Sequence, residues 1–213
     1  MAIVQSGDFT LAFPTVILRR KLAETTALNE RLRGHILELR EAGSGIVRSN
    51  VGAWHSDLSY FTSDRDGLPE LRELLRRAVR EYWAMEQQRN VGGDELVVRM
   101  TGWAMVYRNG DYAVPHVHPN SNFSGVYYVD AGDATSEHPK SGVLSCIDPR
   151  VGAGGLDTGG FRQSTSLDIR PETGLLVMFP AWLLHHVHPY QGERERIAIS
   201  FNVSVHKADA AQQ

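Results

Sequence analysis

The chain is poor in cysteine: Cys146 is the only one among 213 residues. A single thiol excludes an intrachain disulfide, and a reducing, cytoplasmic setting is the expectation that goes with it. Between Ser145 and Ile147, Cys146 reads as a small buried hydrophobe rather than a nucleophile. The run of about 18 apolar residues that a spanning helix needs is missing. So is a signal-peptide pattern at Met1-Ala2-Ile3-Val4-Gln5, and no membrane partner is expected. Charge of one sign is not in excess. The formal net charge is −3, which argues against nucleic acid as a partner. There is no internal repeat and no long linker.

What is present is an ordinary globular composition, 42% hydrophobic and 22% charged. The length suits one domain over 1–213. Its first part, 1–95, reads as helix-rich. Leu18, Leu22, Leu28, Leu32, Ile36 and Leu39 fall on one helical stripe that ends plausibly at Ala42-Gly43. A second helix starts near Pro69, with Glu70 beside it. Leu71, Leu74, Leu75, Ala78, Val79 and Tyr82 form its apolar face, while Arg72, Arg76, Arg77 and Arg80 form a solvated one.

From about Glu95 the period changes. Strands are read at 96–100, 103–107, 123–129, 142–147, 165–169, 175–179, 184–188 and 197–205, separated by Gly, Pro, Asp and Asn clusters. Many short strands after long helices indicate a β-sandwich or barrel braced by helices on one side, with 96–206 as its core. The glycine-rich stretch from Gly152 to Gly160 lacks the lysine and the strand-to-helix setting of a phosphate loop and reads as a mobile loop. The tail 208–213 reads as frayed.

Six of the nine histidines lie between His116 and His188. His116 and His118, in Val114-Pro115-His116-Val117-His118-Pro119, have the i, i+2 spacing that puts two side chains on one face of a strand. Two imidazoles so placed can grip one metal ion. A third from a distant strand completes three ligands and leaves the other side of the metal open. Leu184-His185-His186-Val187-His188-Pro189 supplies it. His185 and His186 are rivals, because neighbours on a strand face opposite ways. His188 shares the face of His186. His35, His55, His138 and His206 read as surface or hydrogen-bonded core residues.

The last strand alternates. Ile197, Ile199, Phe201, Val203 and Val205 lie on one face, and Arg196, Ala198, Ser200, Asn202 and Ser204 on the other. The second face is a solvated surface or a ligand wall. Arg196 and Ser200, with small Ala198 between them, suit a carboxylate, because the planar guanidinium makes two parallel charged hydrogen bonds. Trp103, Trp182 and Tyr127 read as packing residues.

Taken in order, Tyr107, Asn109-Gly110, His116-Val117-His118, Gly125 to Val129, Gly174 to Pro180, His185 to Pro189 and Arg196 to Asn202 resemble the iron(II)- and 2-oxoglutarate-dependent oxygenases, in particular their prolyl-hydroxylase-like branch. The resemblance covers about Trp103 to Val205. It implies a double-stranded β-helix, a jelly-roll barrel with helices on its outer face, hence a mainly β fold with helices. It also implies Fe(II) on His116, His118 and His185. The far carboxylate of 2-oxoglutarate falls on Arg196 and Ser200, and Tyr107 and Tyr128 fall near the cosubstrate. The family's H-x-D/E motif is H-x-H here. Replacing the acidic ligand with His118 makes the iron with its ligands one unit more positive, which favours anionic 2-oxoglutarate. Asp148 is the nearest carboxylate for compensation, although a turn former before Pro149 is its plainer reading.

The expectation is a non-haem iron oxygenase that couples 2-oxoglutarate decarboxylation and O2 to hydroxylation of an unknown small-molecule or peptide substrate. Ala153–Gly160 and Gly132–Ser141 are lid candidates. Two rivals use the same histidines: a three-histidine metal dioxygenase without 2-oxoglutarate, and a non-catalytic cupin-like ligand-binding protein. A homodimer is compatible with exposed jelly-roll edges.

Overall fold

The computed structural model describes residues 4–6, 9–11, 13–87, 96–133, 137–150 and 165–207. The glycine-rich stretch, the tail and the centre of the second lid candidate lie outside them. A short hairpin, β1 (Val4–Ser6) with β2 (Phe9–Leu11), precedes the body of the fold.

Two sheets face each other. The larger contains β3 (Leu18–Lys21), β5 (Trp54–His55), β6 (Leu96–Tyr107), β8 (Phe123–Asp130), β11 (Leu175–Pro180) and β13 (Arg196–Lys207), in the order β3-β11-β8-β13-β6-β5. The smaller contains β4 (Asn50–Val51), β7 (Tyr112–His116), β9 (Leu144–Ile147), β10 (Ser166–Ile169) and β12 (His185–Val187), in the order β10-β9-β12-β7-β4. Every pairing is antiparallel, and the strand order crosses between sequence-distant strands. This is the expected double-stranded β-helix.

Helices α1 (Thr26–Ala42) and α2 (Leu68–Gln87) cover the outer face of the larger sheet. Leu28, Leu32 and Ile36 of α1, at i, i+4, i+8, are buried with Leu71, Leu75 and Val79 of α2 against Phe123, Tyr127, Ile199, Phe201 and Val203. Each such side chain contributes about 1.5–3 kcal/mol by leaving water. Two buried tyrosines have their hydroxyls met as well: the Tyr127 hydroxyl donates to Asn29 Oδ1 at 2.6 Å and the Tyr82 hydroxyl to the Val16 carbonyl at 2.7 Å. Gly43 follows α1, with its N–H on the Arg40 carbonyl, as Ala42-Gly43 led one to expect. Pro69 sits in the first turn of α2, where its missing N–H costs nothing.

The first helix does not begin at Leu18. Leu18–Lys21 is an edge strand on β11, and the helix starts at Thr26. Leu18 and Leu22 match the helical stripe by spacing alone; the open edge of β11 offered pairing that outweighed it. Arg19, Arg20 and Lys21 then guard the edge against further strand addition. The two strands expected at 96–100 and 103–107 are one continuous strand, β6. No described helix is long and apolar enough to cross a membrane.

Candidate metal and cosubstrate site

The antiparallel register of β12 on β7 sets His185 opposite His116. His118 lies two residues beyond, where its N–H donates to the Ala181 carbonyl at 2.9 Å and ties the H-x-H segment to the turn before β12. The ring centroids of His116, His118 and His185 are 4.3–5.1 Å apart, and one nitrogen from each falls within 4.8 Å of the other two. His116 Nδ1 donates to the Val114 carbonyl at 2.7 Å, and His185 Nδ1 to the Leu183 carbonyl at 2.8 Å. A carbonyl only accepts, so each Nδ1 carries the hydrogen and each Nε2 presents a lone pair. His118 Nε2 and His185 Nε2 stand 3.3 Å apart. Nitrogens converging in this way call for a cation between them.

Burial keeps these imidazoles neutral. It pushes His118 down to about 4 and His185 to about 3, and lowers His116, with the neighbouring imidazoles adding to the effect in each case. Neutral imidazole is the metal-binding form.

His186 points the other way, its ring 4.6 Å from that of His188. His188 Nε2 is 3.0 Å from Ser145 Oγ, which donates to Asp168 at 2.5 Å. Of the two rivals, then, His185 joins His116 and His118. Asp148 does not line the cavity; Arg150 holds its carboxylate and pulls it down to about 2.

The three histidines open into a cavity of about 60 Å³ between the sheets. Arg196, Ser200, Tyr107 and Tyr128 line it too, so every expected site residue meets there. Arg196 is 1% exposed. One Nη1 hydrogen goes to the Gly142 carbonyl at 2.5 Å, and the guanidinium carbon lies 3.9 Å from the Tyr107 ring centroid. Its Nε has no partner, and no described carboxylate pairs with it. Leaving a buried charge unpaired is costly, and a guanidinium in this state is suited to an anion. Burial raises both phenols, Tyr128 to about 12, and keeps them neutral donors beside it.

Gly142 makes the close approach to Arg196 feasible: its φ is +62°, and a Cβ there would come within 2.6 Å of Nη1. Sequence reading missed Gly142. It also missed Ser49, 3.4 Å from His116 Nε2; His55 is the hydrogen-bonded core residue expected, but it also lines the cavity, stacked at 5.4 Å on Trp103, which in turn sits 5.9 Å from His118. None of these stands in a motif. Tyr127 packs under α1 as expected, whereas Trp103 lines the cavity and Trp182 is 56% exposed.

The family described as "Putative 2OG-Fe(II) oxygenase" matches residues 101–202, which carry the H-x-H pair, His185 and Arg196. Over this barrel, just under half of the chain, the protein matches the 2-oxoglutarate- and iron(II)-dependent oxygenases, as the order of its motifs led one to expect. Its cofactors are accordingly iron(II) and 2-oxoglutarate, and the convergent imidazoles with the unpaired buried arginine fit both. Solved structures share the fold. A Pseudomonas putida prolyl-4-hydroxylase is 15% identical, with TM-score 0.59 over 88% of this chain and 91% of that one. A Trichoplax adhaerens prolyl hydroxylase, bound to a hypoxia-inducible-factor peptide, is 15% identical, with TM-score 0.58 over 89% and 83%. Streptomyces hygroscopicus HygX, bound to nickel, 2-oxoglutarate and hygromycin B, is 13% identical, with TM-score 0.57 over 89% and 83%. No curated protein matches the sequence.

Proposed function

We propose that His116, His118 and His185 hold the iron(II), that Arg196 and Ser200 take the far carboxylate of 2-oxoglutarate, and that the enzyme hydroxylates a C–H bond of its substrate. The observation that carries this reading is the meeting, in one cavity, of three converging imidazole nitrogens and a buried arginine with no counter-ion among the described residues. Bound iron and 2-oxoglutarate supply the O2 activation and the oxidising equivalents, with succinate and carbon dioxide as by-products. The chain's own groups do the positioning. Backbone carbonyls at Val114 and Leu183 fix the tautomers of His116 and His185. Tyr107 and Gly142 pin the guanidinium, so that its free Nε faces a fixed direction. Tyr128 stays protonated and can donate to a cosubstrate oxygen. Phe179, Leu144, Val187 and Ala198 exclude water from the reacting centre.

The substrate, on this reading, is a small molecule or peptide rather than nucleic acid, in keeping with the net charge of −3. The single buried cysteine favours a cytoplasmic setting. Residues 1–95 and 96–206 act as one unit, because α1 and α2 share their core with β8, β11 and β13. Exposed sheet edges leave room for a homodimer.

Anaerobic titration of the iron(II)-loaded protein with 2-oxoglutarate tests the assignment. A saturable visible charge-transfer band is expected in the wild type, weakened in Arg196→Ala and absent in His116→Ala. Bound iron with no band on adding 2-oxoglutarate overturns it and turns attention to a substrate-chelating three-histidine dioxygenase.

A further inference from the structure

The charges in the cavity do not balance. Among the described residues, its lining includes Ser49, His55, Trp103, the three histidines, Tyr107, Tyr128, Ser200 and Arg196, and no aspartate or glutamate. Carboxylates near these residues in sequence are committed elsewhere: Glu195 to Arg40 and Arg108, Asp111 to the Arg108 N–H, Asp148 to Arg150, and Asp168 to Lys140 and Ser145. The two phenols are buried, which raises their pKa, so they add no negative charge. Resting on the assignment above, the fixed charge is that of a divalent metal and one guanidinium. Bound 2-oxoglutarate brings two negative charges and leaves one positive charge uncompensated, at the metal, because Arg196 is the partner of the far carboxylate. The lining near the histidines is largely aromatic and aliphatic, with Trp103, Phe179, Leu144 and Val187. An unpaired charge in such surroundings is unfavourable and attracts an anion.

We infer that the substrate of this enzyme carries an anionic group, a carboxylate, that docks beside the three-histidine metal and completes the charge balance that no described side chain of the cavity supplies. His118 is the specificity-determining residue: a carboxylate at that position fills the deficit from the protein and removes the preference.

The probe is acetate, with acetamide as its neutral isostere. Each is titrated anaerobically into the full-length protein loaded with iron(II) and saturating 2-oxoglutarate, and binding is read by calorimetry and by displacement of the charge-transfer band. Acetate is expected to bind about tenfold or more tightly than acetamide, since the two differ by one charge placed near an uncompensated one. In His118→Asp the preference should fall to near parity. Equal binding of acetate and acetamide to the wild type overturns the inference, and that comparison needs no variant to fold. A preference undiminished in a folded, metal-loaded His118→Asp also overturns it. Failure of 2-oxoglutarate to produce a band is seen before any acetate is added; it defeats the metal-and-cosubstrate assignment itself, and the inference with it.

Discussion

The two faces of β13 differ as sharply as any two regions of the molecule. Toward the helices, Ile197, Ile199, Phe201 and Val203 are fully buried in hydrocarbon. On the opposite face, which brings Arg196, Ala198 and Ser200 to the cavity, Arg196 Nε and, beyond the cavity, Asn202 Oδ1 are buried without a hydrogen-bond partner. One strand therefore carries a face whose interactions are complete and a face whose interactions await a ligand. Stability is concentrated on the first and chemistry on the second, and period-two alternation keeps them from interfering. Substitutions on each face should separate the two properties.

The largest effect on stability is expected from Phe201→Ala. The ring packs fully buried beneath the helices, and its removal should cost about 3–5 kcal/mol in denaturant unfolding. Gly125 lies against this ring, where a Cβ would come within 2.5 Å of it, so the site is tightly filled and collapses poorly. Metal affinity of the fraction that folds should be unchanged. A metal-binding loss as large as the stability loss would show that the two faces are coupled.

Arg196→Met makes the opposite trade. Losing a charged pair of hydrogen bonds to the cosubstrate should weaken 2-oxoglutarate binding by about 1.5–3 kcal/mol per bond. The unfolding midpoint of the cosubstrate-free protein should hold or rise, because an unpaired buried cation has been replaced by hydrocarbon of similar reach. Titration and melting on one preparation check both. A large drop in stability would mean that the Gly142 bond and the Tyr107 stacking outweigh the desolvation of the guanidinium.

Most of this division was legible in the sequence. The alternation from Arg196 to Val205 and the H-x-H spacing are local patterns that backbone geometry converts directly into shared faces. The phase of the distal ligand was not legible, since His185 and His186 differ only in which way the strand is turned. That depends on pairing of β12 with β7 and β9, a long-range register. The strand at Leu18–Lys21 was hidden for the same kind of reason: its partner, β11, lies more than 150 residues away. Gly142, Ser49 and His55 reach the site only through tertiary packing. The glycine carries no chemical signal at all beyond the space it leaves for Arg196.

That space suggests a smaller perturbation. Gly142→Ala puts a methyl group within 2.6 Å of Arg196 Nη1 at a φ of +62°. The left-handed backbone should cost about 1–2 kcal/mol for a residue with a Cβ. The contact should also displace the guanidinium, so that affinity for 2-oxoglutarate falls while iron(II) affinity holds. Equal losses in both would show that the loop, rather than the arginine, had moved.

The smallest effect tests whether the helix-side face is as complete as it appears. His35 of α1 is buried there, sharing a 2.8 Å hydrogen bond with the Tyr60 hydroxyl, with Arg65, Glu38 and Asp66 as its charged neighbours. Burial, reinforced by Arg65, lowers its pKa; Glu38 and Asp66 oppose that only in part. Above about pH 6.5 the imidazole is neutral in folded and unfolded chains alike, and stability does not depend on it. As pH falls below that value the unfolded chain takes up a proton that the folded one resists, and stability declines until the lower, folded pKa is passed. The slope can reach at most about 1.4 kcal/mol per pH unit for one proton. Urea midpoints of the metal-free protein between pH 7.5 and 5 should therefore fall more steeply in the wild type than in His35→Gln, which keeps a hydrogen-bonding side chain but does not titrate. His118 and His185 add a decline of the same sign to both proteins, so the difference between the two curves belongs to His35. Parallel curves would mean that the pocket beneath α1 admits a charge, and that the helix side of the sheet is wetter than its burial indicates.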